Sequence, residues 1–235
     1  DPYWAPPPGG PFAREPQRAP GRLRVAFTTE VPLEGVDVRV DPACATAAID
    51  AARLLSELGH EVVEAAPRWR DPEFVPLFTM VWQASSGLLP ADLDVDLLEP
   101  LNRTLALAAA RVSSAEYVRG VARLHGLARR IVAFWEGYDV LVTPTLALPP
   151  VPIGWTAAAD DPWREFERGW QFTGYTQIAN LTGQPALSLP LAWSDDGVPI
   201  GVQLVGPPAG EAVLLRLAGE LERARPWSGR RPYVS

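Results

Sequence analysis

The sequence predicts an α/β fold in which a mixed β-sheet is covered by helices. Three observations carry the prediction. A strand, a helix and a second strand follow one another between residues 23 and 64, and such βαβ units join parallel strands by a right-handed crossover. The apolar run Asp139–Thr143 follows a long amphipathic segment and suits a strand buried on both faces. Near the C-terminus two apolar runs flank Asp196-Gly197, the dipeptide of tight antiparallel hairpins. Parallel and antiparallel pairings in one chain make the sheet mixed.

The elements follow in order. Seven of the first twenty residues are proline, which removes backbone donors and fixes φ, so residues 1–22 are expected to be an extended lead-in. Leu23–Thr28 suits a strand. Asp41 is placed to cap a helix, with Pro42 at the first helical position, where no N–H is needed. Ala47, Ala51, Leu54, Leu55 and Leu58 then recur at helical spacing, and Gly59 stands where a left-handed terminating residue belongs. His60–Glu64 resumes a strand.

From Asp71 to Arg111 the pattern is helical, with Phe74, Leu77, Phe78, Val81 and Trp82 on one side and a second stretch at 97–110. Ser113 and Glu116 have the spacing of a capping box. They open the longest helix, whose apolar seam runs through Tyr117, Val121, Leu124, Ala128, Ile131 and Trp135. Pro144 ends the buried strand. The Pro- and Trp-rich stretch from Pro149 to Trp170 is predicted as a long loop with one helical turn, and loops of that length are usually functional. Leu214, Leu217, Ala218 and Leu221 mark a closing helix. With no internal repeat and no sharp break in composition, residues 1–235 read as one unit.

Composition narrows the function. Of 235 residues, 47% are hydrophobic and 21% charged, the balance of a globular protein. A net charge of −7 without a basic stripe argues against nucleic acid as a partner. No apolar run reaches the roughly 18 residues of a membrane span, and Asp1-Pro2-Tyr3-Trp4 does not open a signal peptide; a cytoplasmic protein without a membrane partner is expected. Cys44 has no second cysteine to pair with, and His60 and His125 are too far apart for a metal-binding spacing. No metal and no cofactor are predicted.

Familiar catalytic anchors are missing too. The sequence contains neither phosphate-loop pattern and no GxSxG elbow. Ser85-Ser86 and Ser113-Ser114 suit helix caps. His60, just past Gly59, would act as a cation at a helix C-terminus. His125 reads as a packed, hydrogen-bonded side chain flanking the seam, and Cys44 as a buried, inert thiol. A hydrolase built on His125 with Ser188 is the weakest reading. Nine tryptophans, among them Trp155, Trp163 and Trp170, suit either lid packing or an apolar pocket. All 21 of the Lys and Arg residues are arginine, leaving no lysine.

Three later stretches carry a resemblance: Tyr138–Thr145, Phe172-Thr173 followed by Asn180–Pro190, and Gly197–Gly206. They closely resemble the C-terminal half of amidase signature family enzymes. Leu58–Val62 and the opening Asp1–Trp4 match as well, so the resemblance covers nearly the whole chain. It implies the C-terminal half of the amidase signature fold, and hydrolysis of carboxamides by a serine nucleophile, a bridging serine and a lysine, with an oxyanion hole in a Gly/Ser-rich loop. Such chemistry needs a neutral amine as proton acceptor, and arginine has no lone pair to offer. With no lysine and no Gly-Gly-Ser-Ser run, none of the family's catalytic residues maps onto this chain. They are expected in a half preceding Asp1.

The resemblance therefore implies a pocket-forming part whose partners are an N-terminal catalytic half and a small-molecule amide, inactive in isolation. Self-association into a homo-oligomer stays open. The strand-end loop at Thr143-Pro144-Thr145, the helix carrying Phe78 and Trp82, and the segment from Phe172 to Asn180 approach the acyl group in the family. Phe78, Trp82, Thr145, Phe172, Thr173 and Asn180 are accordingly the substrate-binding candidates. Thr173 stands where relatives acting on glutamine carry an acid for the substrate's amine, and a hydroxyl cannot form that ion pair. A tRNA-linked glutamine amidotransferase is thus disfavoured, and the Trp- and Pro-rich stretch suggests an apolar or linear amide. The alternative is a non-catalytic binding or scaffold protein retaining half of the amidase fold.

Overall fold

A computed structural model of the chain describes residues 5–90, 92–157 and 161–231; the resemblance at Asp1–Trp4 lies outside them. Five strands form one mixed sheet: β1 (Arg24–Phe27), β2 (Glu61–Glu64), β3 (Val140–Pro144), β4 (Ala186–Trp193) and β5 (Pro199–Val205). Their spatial order is β2-β1-β3-β5-β4. β1 runs parallel to β2 and β3, whereas β5 is antiparallel to β3 and β4. The hairpin between β4 and β5 turns at Asp196-Gly197, where Gly197 donates its N–H to Ser194 O at 2.9 Å.

Helices cover both faces. The crossover from β1 to β2 is α1 (Pro42–Glu57), and the Asp41 carboxylate caps it by accepting the Ala43 N–H at 2.8 Å. Its small side chains Ala47 and Ala51, with Cys44 and Leu55, settle on one face of the sheet. Beside them α7 (Glu211–Ala224) contributes Leu214, Leu217 and Leu221. Val140 and Val142 point to this side and Leu141 to the other, the period-2 alternation of a strand buried on both faces.

The opposite face is covered by α2 (Phe74–Ala84) and α4 (Ser114–Val132), with α3 (Pro100–Ala109), α5 (Pro162–Thr173) and α6 (Gln177–Thr182). Phe74, Leu124, Leu127, Ile131, Trp170 and Ile178 form the core here with Leu141 and Val205. The capping box at Ser113 and Glu116 is present in both directions. Among the described residues no helix is long and apolar enough to cross a membrane.

Five sequence expectations need correction. The lead-in is not extended throughout: Phe12–Gln17 forms a 3-10 turn because buried Glu15 is drawn to α7 by an ion pair with Arg216 and to Arg18 at 2.9 Å. The stretch from Pro149 to Trp170 ends in a full helix, α5, rather than one turn. Asp161 accepts from the N–H groups of Trp163 and Arg164 at 3.0 and 3.3 Å, ahead of Pro162 at the first helical position. The buried line of α4 passes through Gly120, Leu124, Leu127 and Ile131, with Tyr117 exposed. The helix is rotated toward α2 because Gly120 leaves room for Met80, whose Cε a side chain there would strike. His125 consequently faces solvent instead of packing.

His60 departs from its expected role as a cation at the end of α1. It is buried, its Nδ1 accepts the Leu23 N–H at 3.1 Å, and its Nε2 faces Glu220 at 2.8 Å. An accepting Nδ1 leaves the proton on Nε2, so the ring links the start of β1 to α7 as a neutral imidazole.

Candidate active-site pocket

Two helices supply the aromatic wall. On α2, Phe74, Phe78 and Trp82 lie four residues apart, one turn above another. On α5, Trp163, Phe166 and Trp170 repeat at intervals of three and four. The two rows interlock edge to face: Phe78 meets Trp170 at 5.4 Å between centroids, Trp82 meets Phe166 at 5.4 Å, and Phe74 meets Trp170 at 6.2 Å. Each such pair contributes about 0.5–1.5 kcal/mol beyond its buried area.

Beside this wall, with Leu101 and Leu105 of α3 opposite, lies a cavity of about 380 Å³. Phe78, Trp82, Phe166 and Trp170 line it together with Glu165, Thr173, Gln177 and Asn180. The Thr173 hydroxyl donates to Gly169 O at 2.9 Å and accepts from the Gln177 amide nitrogen. Because that hydroxyl has already given its one proton, Gln177 must present its NH₂ to it. The Gln177 Oε1 is left buried without a partner among the described residues.

Of the six sequence candidates, Phe78, Trp82, Thr173 and Asn180 therefore meet in one cavity. Thr145 and Phe172 do not line it. Thr145 follows β3 and shares a 2.7 Å hydrogen bond with Ser188 Oγ. Phe172 packs near Trp155 at 6.3 Å, and its carbonyl accepts the Ala147 N–H at 3.0 Å. These two residues form a strand-end layer beside the cavity. Gly174 joins the layers: its φ of 59° ends α5 where a side chain would be strained, and a Cβ there would stand 3.0 Å from Ala147 Cβ. Trp170 is one of the tryptophans the sequence offered for an apolar pocket, and Gln177 lies within the Phe172–Asn180 segment without having been singled out; sequence reasoning missed Leu101, Leu105, Glu165 and Phe166. The Asp161-Pro162 cap and the spacing of Trp163, Phe166 and Trp170 were the available signals for those on α5.

Cys44 and Tyr175 are buried, and the Thr145 and Ser188 hydroxyls bond to each other. Burial, with a smaller contribution from the Asp41 charge, pushes the Cys44 thiol up to about 11. Burial also raises the Tyr175 phenol, whose hydroxyl donates to Thr29 O at 2.7 Å. Among the described residues neither an imidazole nor a carboxylate bonds to the Thr145–Ser188 hydroxyl pair.

The Amidase family profile matches residues 1–215. The chain belongs to the amidase family. It is 37% identical over 243 residues to the putative amidase AmiB2 of Mycobacterium tuberculosis (strain ATCC 25618 / H37Rv), a match that covers 98% of this chain and 49% of that protein. It is 33% identical over 250 residues to the 6-aminohexanoate-cyclic-dimer hydrolase of Paenarthrobacter ureafaciens, covering 100% of this chain and 50% of that protein. A structure of 6-aminohexanoate cyclic dimer hydrolase complexed with substrate superposes with a TM-score of 0.87 at 33% identity, over 98% of this chain and 51% of that one. A bacterial aryl acylamidase of the amidase signature family shares the fold, with a TM-score of 0.71 at 20% identity, over 92% of this chain and 46% of that one. The amidase chain thus spans about half the length of the relatives it matches. Its mixed five-stranded sheet with flanking helices is consistent with the C-terminal half of the amidase signature fold.

Proposed function

We propose that the chain is the pocket-forming part of an amidase that hydrolyses carboxamide C–N bonds, with the reacting groups supplied by a lysine-bearing N-terminal half. The observation that carries this reading is an aromatic cavity between α2 and α5 in a chain of 21 arginines and no lysine.

In the proposed reaction a serine oxygen of the other half adds to the amide carbonyl. Its proton passes through a second serine to a neutral lysine amine and on to the leaving nitrogen as the C–N bond breaks. Water then attacks the acyl-enzyme by the same proton route and releases the carboxylic acid. This chain's part is positioning, which lowers a barrier by pre-ordering the reactant. Phe78, Trp82, Phe166 and Trp170 hold the apolar part of the substrate and keep water from it. Thr173 and Asn180 form the polar end of the cavity, with Thr145 and Phe172 in the layer behind. Isolated, the chain would bind an amide without cleaving it.

Reconstitution tests the reading. The chain is co-expressed with a family N-terminal half carrying the Gly/Ser-rich loop and the lysine, and carboxamide hydrolysis is followed. Activity in the complemented pair alone, with Trp82→Ala raising KM, is the expected result. A properly assembled complex with no activity toward any amide would favour the non-catalytic scaffold.

A further inference from the structure

We infer that the cavity between α2 and α5 takes amides whose far end carries a cation, an alkylammonium or quaternary ammonium group seated among Trp82, Phe166 and the Glu165 carboxylate. The inference rests on the proposed role of this cavity as the amide pocket.

Charge is the first argument. Among the described residues Glu165 is the only ionisable side chain lining the cavity, and it is partly buried against aromatic rings. Several arginines are engaged elsewhere: Arg130 pairs with Asp71 at 2.9 Å, Arg103 with Asp96 at 2.6 Å, and Arg123 with Glu73. Glu165 has no ion pair among the described residues, which include every arginine of the chain. Arg168, one turn further along α5, gives its guanidinium to the carbonyl oxygens of Trp155 and Ala157 at 3.0 and 2.9 Å instead. A carboxylate held at an apolar wall without a counter-charge favours a cationic ligand.

The rings supply the second argument. Trp82 is 49% exposed and stands with Phe166 beside this carboxylate. Aromatic faces attract ammonium groups, and tryptophan does so best. Length is the third. Glu165 and Thr173 are separated by eight positions of α5, about 12 Å at 1.5 Å per residue. A ligand reaching the Thr173, Gln177 and Asn180 end with its amide therefore leaves its other end near Glu165 only if the two are joined by an extended chain.

Calorimetric titration of the chain with octanamide, 8-aminooctanamide and 8-(trimethylammonio)octanamide tests this. Both cationic probes are expected to bind at least tenfold more tightly than octanamide. Glu165→Gln should remove most of that preference, and Trp82→Ala should reduce the preference for the trimethylammonium probe. Octanamide binding with no cationic preference, or a preference untouched by Glu165→Gln, would overturn the inference and leave the pocket reading intact. Failure of all three probes to bind would contradict both.

Discussion

The Trp82 and Phe166 rings meet edge to face, their centroids 5.4 Å apart and their planes at 68°. This contact is the solvent-side end of the row of rings that ties α2 to α5, since Trp82 is exposed whereas Phe74 and Trp170 are buried. A double-mutant cycle with Trp82→Ala and Phe166→Ala should give a coupling energy of about 0.5–1.5 kcal/mol in urea unfolding. Additive losses would mean that the rings do not support each other.

His60 bridges elements at opposite ends of the chain through Leu23 N–H and Glu220. His60→Ala leaves a buried N–H without an acceptor, a cost of about 1–3 kcal/mol. For a domain of this size each kcal/mol lowers Tm by about 2–4 °C. Glu220→Gln keeps an acceptor for Nε2–H and should stay near the parent Tm. A thermal scan in which both variants behave alike contradicts this bridge.

Gly201 sits against the Thr145–Ser188 pair: a Cβ there would stand 2.6 Å from Ser188 Oγ and 2.9 Å from Thr145 Oγ1. Gly201→Ala should destabilise by about 1–3 kcal/mol, the range for overpacking. Ser188→Ala removes the nearer obstacle, so the double variant should lose less than the sum of the singles. Chemical denaturation of the three variants decides the matter.

Cys44 makes stability fall at alkaline pH. The unfolded thiol deprotonates near 9.0, whereas the folded one keeps its proton to about 11. Between these values the native state binds more protons than the unfolded state, so stability declines as pH rises. Cys44→Ala should flatten this part of the stability–pH curve. A thiol reagent at pH 8 should leave native Cys44 unmodified and label it only on unfolding.

Local signals explain what was legible. Asp41-Pro42, Ser113 with Glu116, and Asp196-Gly197 each act within a few residues, and all three produced the expected cap or turn. Asp161-Pro162 is the same kind of signal as Asp41-Pro42, but the surrounding Pro and Trp residues obscured the helical spacing behind it. Long-range pairings left no local trace: Glu15 is held by Arg216, 201 residues away. The pocket divides in the same way. Helical spacing sets Phe78 and Trp82 on one side of α2 and the family resemblance points to them as pocket residues, whereas Leu101 and Leu105 join them because α3 packs against α2 and α5. Thr145 and Phe172 fall outside the lining, Thr145 donating its N–H to Gly201 O at 3.1 Å and Phe172 O accepting the Ala147 N–H at 3.0 Å.

The central claim is that this chain shapes an amide pocket and leaves proton transfer to groups it does not contain. Its most direct test is a sensitive assay for ammonia or amine release from simple carboxamides, using the 235-residue chain purified to a verified intact mass. No turnover above the buffer rate is predicted, even with the amide bound. A reproducible turnover that co-purifies with the folded chain would contradict the claim, because catalysis would then reside in residues assigned here only to the pocket or the scaffold.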